Sequence, residues 1–245
     1  MRANYVNTPM DHAKDASRSL SVVRQRLAEA EVKFNRKPHA VRLLAVSKTK
    51  PVDDIQAVLA AGQRDFGENY LNEALQKIEQ LAGQGCCWHF IGAIQSNKTK
   101  AIAQSFDWVH TVDRLKIAQR LSEQRGENDE VLNICVQVNI DQEDSKAGVS
   151  PADARELCRQ VSALPRLKLR GLMAIPRASD SFEEQSDSCR RLRELFESIQ
   201  QELTDMDTLS IGMSGDLEAA VAEGSTMVRI GTAIFGQRAS KPLTP

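Results

Sequence analysis

The 245-residue sequence has little that would mark it as a metal, nucleotide or membrane protein. Its five cysteines, Cys86, Cys87, Cys135, Cys158 and Cys189, are odd in number, sparse, and not spaced with the four histidines as metal ligands are, which excludes a disulfide framework and a ribbon-type zinc site. No Gly-x-Gly-x-x-Gly or Gly-x-x-x-x-Gly-Lys-Ser/Thr run is present, so dinucleotide and Walker-type nucleotide sites are not expected. No solenoid-type repeat and no linker-like stretch interrupts the chain. Charge of one sign is missing as well: 32 Lys and Arg against 33 Asp and Glu give a net charge of −1, too little to gather nucleic acid or an anionic membrane. The polar start, Met1 to Asp15, lacks a signal-peptide pattern and no later apolar run reaches membrane-spanning length, so a reduced, cytoplasmic protein is expected.

What is present is a hydrophobic content of 41%, enough for one sizeable core, and a rhythm. After an N-terminal helix expected over residues 12 to 35, short apolar runs alternate with amphipathic segments: Leu43–Ser47, Asp65–Gly67, Trp88–Gly92, Trp108–Val112, Ile134–Asn139, Leu169–Ile175, Leu209–Met213 and Met227–Ile230. Eight parallel strands joined by crossover helices close a β/α barrel, with a doubly wound sheet as the competing arrangement. Ser150-Pro151 with Asp153 marks the start of one crossover helix, and Ser181 with Glu184 a capping box before the longest helix after the first. A single barrel domain is expected over residues 11–238, between tails of residues 1–10 and 239–245.

Lys48 closes the first apolar run, and a lysine at the carboxyl end of a buried strand faces the end of the barrel where active sites form. An apolar seat disfavours its ammonium form and makes the neutral amine available to a carbonyl, as a Schiff base; the plainer reading is a side chain that snorkels or pairs with a carboxylate. Further polar groups follow the other strands: Glu68-Asn69, then Gln95, Asn97 and Lys98, then Asn139, then Ser214. Ser214 reads as the cap of a helix, and Gly231-Thr232 as a small, donor-rich turn after the eighth strand. Together they suit a phosphate, which in such barrels sits after strands seven and eight. Arg229, inside an apolar strand, requires a partner, either a carboxylate or a heteroaromatic ring nitrogen. A Schiff-base lysine, a phosphate cradle and an arginine placed for a ring nitrogen describe a pyridoxal phosphate (PLP) site.

The segments Leu44–Pro51, Phe66–Tyr70, Trp88–Gly92 with Gln95–Lys98, Gly171–Pro176, Gly212–Ser214 and Val228–Gly236 resemble the signatures of the pyridoxal phosphate homeostasis protein family (YggS/PROSC-type), from about residue 15 to residue 238. The resemblance implies a PLP fold type III barrel with an extra N-terminal helix and no second β domain. It implies the cofactor on Lys48, the phosphate near Ser214, Gly231 and Thr232, Arg229 at the pyridine nitrogen, and Asn69 and Met173 lining the ring. Ala93-Ile94 departs from the proline-leucine pair expected before Gln95, and Gly215 sits at a variable position.

The barrel also resembles the cofactor domain of alanine racemases, but the chain stops nine residues after Gly236, leaving no room for the domain that brings those enzymes a catalytic tyrosine. Tyr5 lies in the tail and Tyr70 at a helix start, so neither is expected to replace it. The expectation is therefore a monomeric or weakly associating carrier that stores PLP or delivers it to apo-enzymes, maintaining the cofactor pool and amino-acid balance without robust catalysis. A PLP-dependent racemase or lyase is the alternative, and a cofactor-free protein-binding scaffold the third reading. His89 and His110 are expected in the core, Cys86-Cys87 as thiols, and Lys50 and Lys146 as solvated loop lysines.

Overall fold

The computed structural model describes residues 9–237, with side chains from Asp15 onward; most of the two expected tails lies outside these residues. Helix α1, Pro9–Lys33, begins ahead of the expected residue 12. Its buried residues Ala16, Leu20, Val23, Leu27 and Ala30 recur at three- and four-residue spacing, the apolar stripe that seats a helix on a core. Glu31 follows on the same face, and its carboxylate accepts from the Val41 amide at 2.9 Å and the His39 amide at 3.0 Å, which fixes the connection into the barrel.

The strands β1 (Arg42–Val46), β2 (Asp65–Glu68), β3 (Cys87–Phe90), β4 (Trp108–Val112), β5 (Leu132–Gln137), β6 (Leu167–Met173), β7 (Thr208–Ser210) and β8 (Met227–Ile230) form one closed barrel in sequential order. Every pairing is parallel, and β8 closes on β1 with Arg42 opposite Met227 and Ala45 opposite Ile230. The doubly wound alternative is thereby excluded. Side chains alternate across each strand. Leu43, Ala45, Phe66, Phe90, Val109, Ile134 and Val228 pack outward in the main core beneath the helices, whereas Leu44, Trp108, Cys135, Met173 and Met227 form a second cluster inside the barrel.

The crossover helices are α2 (Val52–Ala60), α3 (Leu71–Gln80), α4 (Thr99–Ser105), α5 (Leu115–Gln124), α6 (Pro151–Ser162), α7 (Phe182–Gln200) and α8 (Leu217–Ala222), followed by the short α9 (Thr232–Phe235). Ser150 caps α6 as expected, its hydroxyl accepting from the Asp153 amide at 3.2 Å. The capping box of α7 is half formed: Ser181 Oγ accepts from the Glu184 amide at 3.4 Å, but the Glu184 carboxylate accepts from the Ser179 hydroxyl instead of returning to Ser181. No helix among the described residues is long and apolar enough to cross a membrane.

Strands six and seven end earlier than their apolar runs, at Met173 and Ser210. The residues beyond leave the sheet at the barrel mouth. Gly212 turns the chain there with φ +105°, and a Cβ on it would sit 2.5 Å from Ala220 Cβ, so only glycine fits the bend.

Candidate functional site

Lys48 is half-buried in the turn Ser47–Lys50 that follows β1, and charged groups beneath it hold that turn. Lys77 of α3, itself buried, donates to the Ser47 carbonyl at 2.8 Å and pairs with Glu68 at 2.8 Å and Glu73 at 2.5 Å. Ser47 Oγ donates to Glu68 at 2.6 Å, and the Thr49 amide donates to Glu73 at 2.6 Å. Thr49 takes a left-handed φ of +64°, a strain that these bonds sustain. Burial raises the Glu68 carboxyl above the usual range despite Lys77, and its Oε2 has no protein partner. Glu68 thus supports the lysine turn from below and is not among the residues lining the mouth cavity.

The loops after β7 and β8 form the opposite wall. Contrary to the sequence reading, Ser214 does not cap a helix: α8 starts at Leu217, its N-cap is Asp216, and that carboxylate accepts from the Met213 amide at 2.6 Å. Residues 213–216 therefore form a turn that leaves the Ser214 side chain at the cavity. Arg26 of α1 fixes this turn by donating to the Ser214 carbonyl at 2.8 Å while pairing with Glu218 at 2.5 Å. After β8, Gly231 accepts from the Ile234 and Phe235 amides at 3.0 and 2.9 Å, so the amides that open α9 have no intrahelical acceptor and remain available to an anion.

Lys50 is not a solvated loop lysine. Its ammonium donates to the Phe235 and Gln237 carbonyls at 2.6 and 2.9 Å, and partial burial lowers its pKa. The turn carrying Lys48 is thereby tied to the segment that opens with Gly231-Thr232.

Arg229 is 5% exposed and faces the interior. Nη1 donates to the Ser210 carbonyl at 2.6 Å and to its hydroxyl at 2.9 Å, and Nη2 donates to the Ala174 carbonyl at 2.8 Å. No carboxylate forms an ion pair with it among the described residues, which removes the plainer of the two expected partners. Burial lowers its pKa to about 10, so it stays a cation at neutral pH.

These walls enclose a cavity of about 320 Å³ whose lining includes all seven expected residues, Lys48, Asn69, Met173, Ser214, Arg229, Gly231 and Thr232. Sequence reasoning missed Val46, Ile91, Ile175 and Met213, apolar residues at or just past strand ends that, with Gly215, complete the lining. Asn69 Oδ1 is buried without a hydrogen-bond partner. Its backbone packs tightly against Gly92, where a Cβ would meet the Asn69 carbonyl oxygen at 2.1 Å. An aromatic ring, a terminal anion and a carbonyl carbon would meet apolar walls, amide and hydroxyl donors, and an amine, so the residues fit PLP.

Other candidates lie elsewhere. Gln95 and Lys98 line a neighbouring cavity with Tyr70, at the start of α3, and Asn97 sits in the 3₁₀ turn Ser96–Lys98. Asn139 ties its own loop, donating to the Glu143 carbonyl at 2.8 Å, and Lys146 pairs with Glu143 at 2.7 Å. His89 and His110 are buried inside the barrel, and the five cysteines are free thiols, both as expected. Asp65, Cys87 and His89 bring ligand-type atoms within 4.8 Å of one another toward the amino-terminal mouth, away from this cavity.

A barrel with these features is of the alanine racemase type, and residues 19–239 match the family described as alanine racemase, N-terminal domain. Within that class, the chain belongs to the pyridoxal phosphate homeostasis protein family. It is 48% identical to the pyridoxal phosphate homeostasis protein of Escherichia coli (strain K12) over 227 residues, covering 91% of this chain and 97% of that protein. It is 54% identical to that of Pseudomonas aeruginosa over 220 residues, covering 90% and 94%. Among solved structures, PipY of Synechococcus elongatus with PLP bound has a TM-score of 0.74 at 37% identity, covering 86% of this chain and all (100%) of that one. Alanine racemase from Corynebacterium glutamicum, with a TM-score of 0.69, 16% identity, and 96% and 63% of the two chains covered, shares the fold.

Proposed function

We propose that this protein binds pyridoxal 5′-phosphate covalently through Lys48 and holds it for storage or for delivery to apo-enzymes, as a cytoplasmic, monomeric participant in PLP homeostasis and amino-acid balance. The observation that carries this reading is the convergence on one cavity of Lys48 from β1, Arg229 from β8, and the Ser214 and Gly231-Thr232 loops. When bound, PLP would supply an aldehyde for the Lys48 amine and a ring that withdraws electrons when its nitrogen carries a proton. Ser214 and Thr232 would hold the phosphate beside the amides that open α9, Asn69 and Met173 would bound the ring, and Arg229 would serve its nitrogen.

Two features favour holding over turnover. A permanent cation at the ring nitrogen disfavours a proton there, leaving the ring a weak electron sink. Among the described residues lining the cavity, Lys48 and Arg229 are the ionisable side chains, so the lining itself contributes no carboxylate or phenol for moving a second proton. For PipY, structures exist both without PLP and with PLP bound.

Borohydride reduction of the PLP-loaded protein, followed by peptide mapping, tests the attachment: the pyridoxyl label is expected on Lys48, and label mainly on another lysine refutes it. Mixing the loaded protein with an apo-enzyme is expected to restore that enzyme's activity. Racemisation of free amino acids that depends on Lys48 would instead favour an enzyme.

A further inference from the structure

Arg229 is a buried cation whose hydrogen bonds go to no carboxylate, although the Asp216 charge acts on it, and such a group is costly unless its donors are satisfied. One of these donors opens a hydrogen-bond chain that crosses the barrel. Guanidinium groups only donate, so Ser210 Oγ accepts from Arg229 Nη1 at 2.9 Å and its single proton is directed to its other partner, His110 Nδ1, at 3.0 Å. His110 Nδ1 is then the bare nitrogen, and a neutral ring carries its proton on Nε2. That nitrogen lies 3.0 Å from His89 Nδ1, which must accept, so the His89 proton is also on Nε2, where it donates to Asp65 Oδ1 at 3.1 Å.

Both rings are fully buried, which suits the neutral form that this assignment requires. Burial, with His89 and Arg229 as neighbours, lowers His110 well below its ordinary value, and burial lowers His89 even beside Asp65. Every donor thus points one way, from a cation on β8 through β7, β4 and β3 to a carboxylate on β2. Leu44, Trp108, Cys135 and Met227 surround the path with apolar side chains, and Trp108 stacks on His89 at 5.3 Å between centroids and 13° between planes.

The far end is anchored. Asp65 also pairs with Arg42, and Cys87 Sγ stands 3.4 Å from His89 Nε2. Burial pushes the Cys87 thiol up to about 12, so it remains protonated. The Asp65 charge is already met by Arg42 and the His89 N–H, and nothing in the Asp65–Cys87–His89 trio calls for a cation.

We propose that His89, His110 and Ser210 are positioning residues that orient the Arg229 guanidinium through a one-way hydrogen-bond chain anchored on Asp65 at the amino-terminal mouth. The chain is a property of the protein without cofactor; its effect on a bound ring rests on the function proposed above. Mutation or ligation at the amino-terminal mouth therefore reaches the cofactor pocket without touching it.

Ring ¹H–¹⁵N correlation spectra of cofactor-free protein labelled at histidine test the chain directly. His89 and His110 are expected as neutral Nε2–H tautomers, with ring protons protected from exchange. A ring protonated on Nδ1, a charged ring, or a His89 Nε2 without its proton overturns the proposal, and this wild-type measurement decides it even where variants fail to fold. Ser210→Ala removes the donor to His110 and is expected to shift the His89 ring signals as well; unchanged His89 signals refute the connection. Asp65→Asn retains an acceptor, so both tautomers should persist while the absorption maximum of the loaded protein shifts. Persistence with an unchanged spectrum refutes the link from Asp65 to the guanidinium, whereas failure of the wild type to load PLP refutes the proposed function and leaves the tautomer result standing.

Discussion

Lys77 Nζ donates to the Ser47 carbonyl at 2.8 Å, so a buried ammonium on α3 grips the peptide plane that leads directly into Lys48. The same ammonium neutralises Glu68, and removing it leaves a buried carboxylate uncompensated. Lys77→Met is expected to cost about 3–5 kcal/mol of stability by urea denaturation. The double variant Lys77→Met/Glu68→Gln should recover much of that loss. Equal losses in the single and double variants would show that Glu68 is not the source.

Lys48→Ala is expected to abolish borohydride-trapped label while the melting temperature changes by only a few degrees, because Lys77 and Glu73 hold the backbone of the turn. Loss of cooperative thermal unfolding in this variant would assign Lys48 a structural role.

Removing the hydroxyl of Ser214 or Thr232 by alanine substitution should weaken PLP more than pyridoxal, which lacks the phosphate. Each lost bond to a charged acceptor is worth about 1.5–3 kcal/mol, roughly ten- to a hundredfold in affinity. Equal losses for the two ligands, measured by titration, would indicate general loosening of the cavity.

The proposed placement of Arg229 at the ring nitrogen predicts that incubation of the loaded protein with an L-amino acid in deuterated water leaves α-deuterium incorporation near background by mass spectrometry. Rapid incorporation that depends on Lys48 would make the racemase reading the better one.

Acid stability should depend on Asp141. Burial alone would raise its pKa, but the Ser188 hydroxyl, the Arg177 amide and Arg191 together hold it below the usual carboxylate value. A depressed folded pKa contributes stability that is present above the unfolded value and lost as pH falls through the folded one. Stability should therefore decline below about pH 4, with a shallower slope in Asp141→Asn. An unchanged slope would remove Asp141 from the account.

Sequence periodicity located all eight strands because parallel barrel strands are buried on both faces and read as short apolar runs between helical segments. It brought Lys48 and Arg229 to the mouth, where both line the cavity, because a charged residue at the end of, or within, such a run turns toward it. It misread Ser214, since a hydroxyl followed by acidic residues looks the same whether it caps a helix or stands in the turn before one. Lys50 was illegible for a different reason: its acceptors are main-chain carbonyls of the last described turn, and carbonyls leave no mark in a sequence. Nor does any local pattern reveal that Asp65, His89, His110 and Ser210 meet, because each is a single inward position on a different strand.

The seam between β1 and β8 is also where the cavity lies, with Lys48 contributed by the first strand and Arg229 and Thr232 by the last and its loop. No partly folded chain can hold both walls, since one comes from the first barrel strand and the other from the last and its loop. Tight cofactor capture is consequently a signal that the ring has closed, and in a nascent or damaged chain the vitamin would act as an inspector of completed folding.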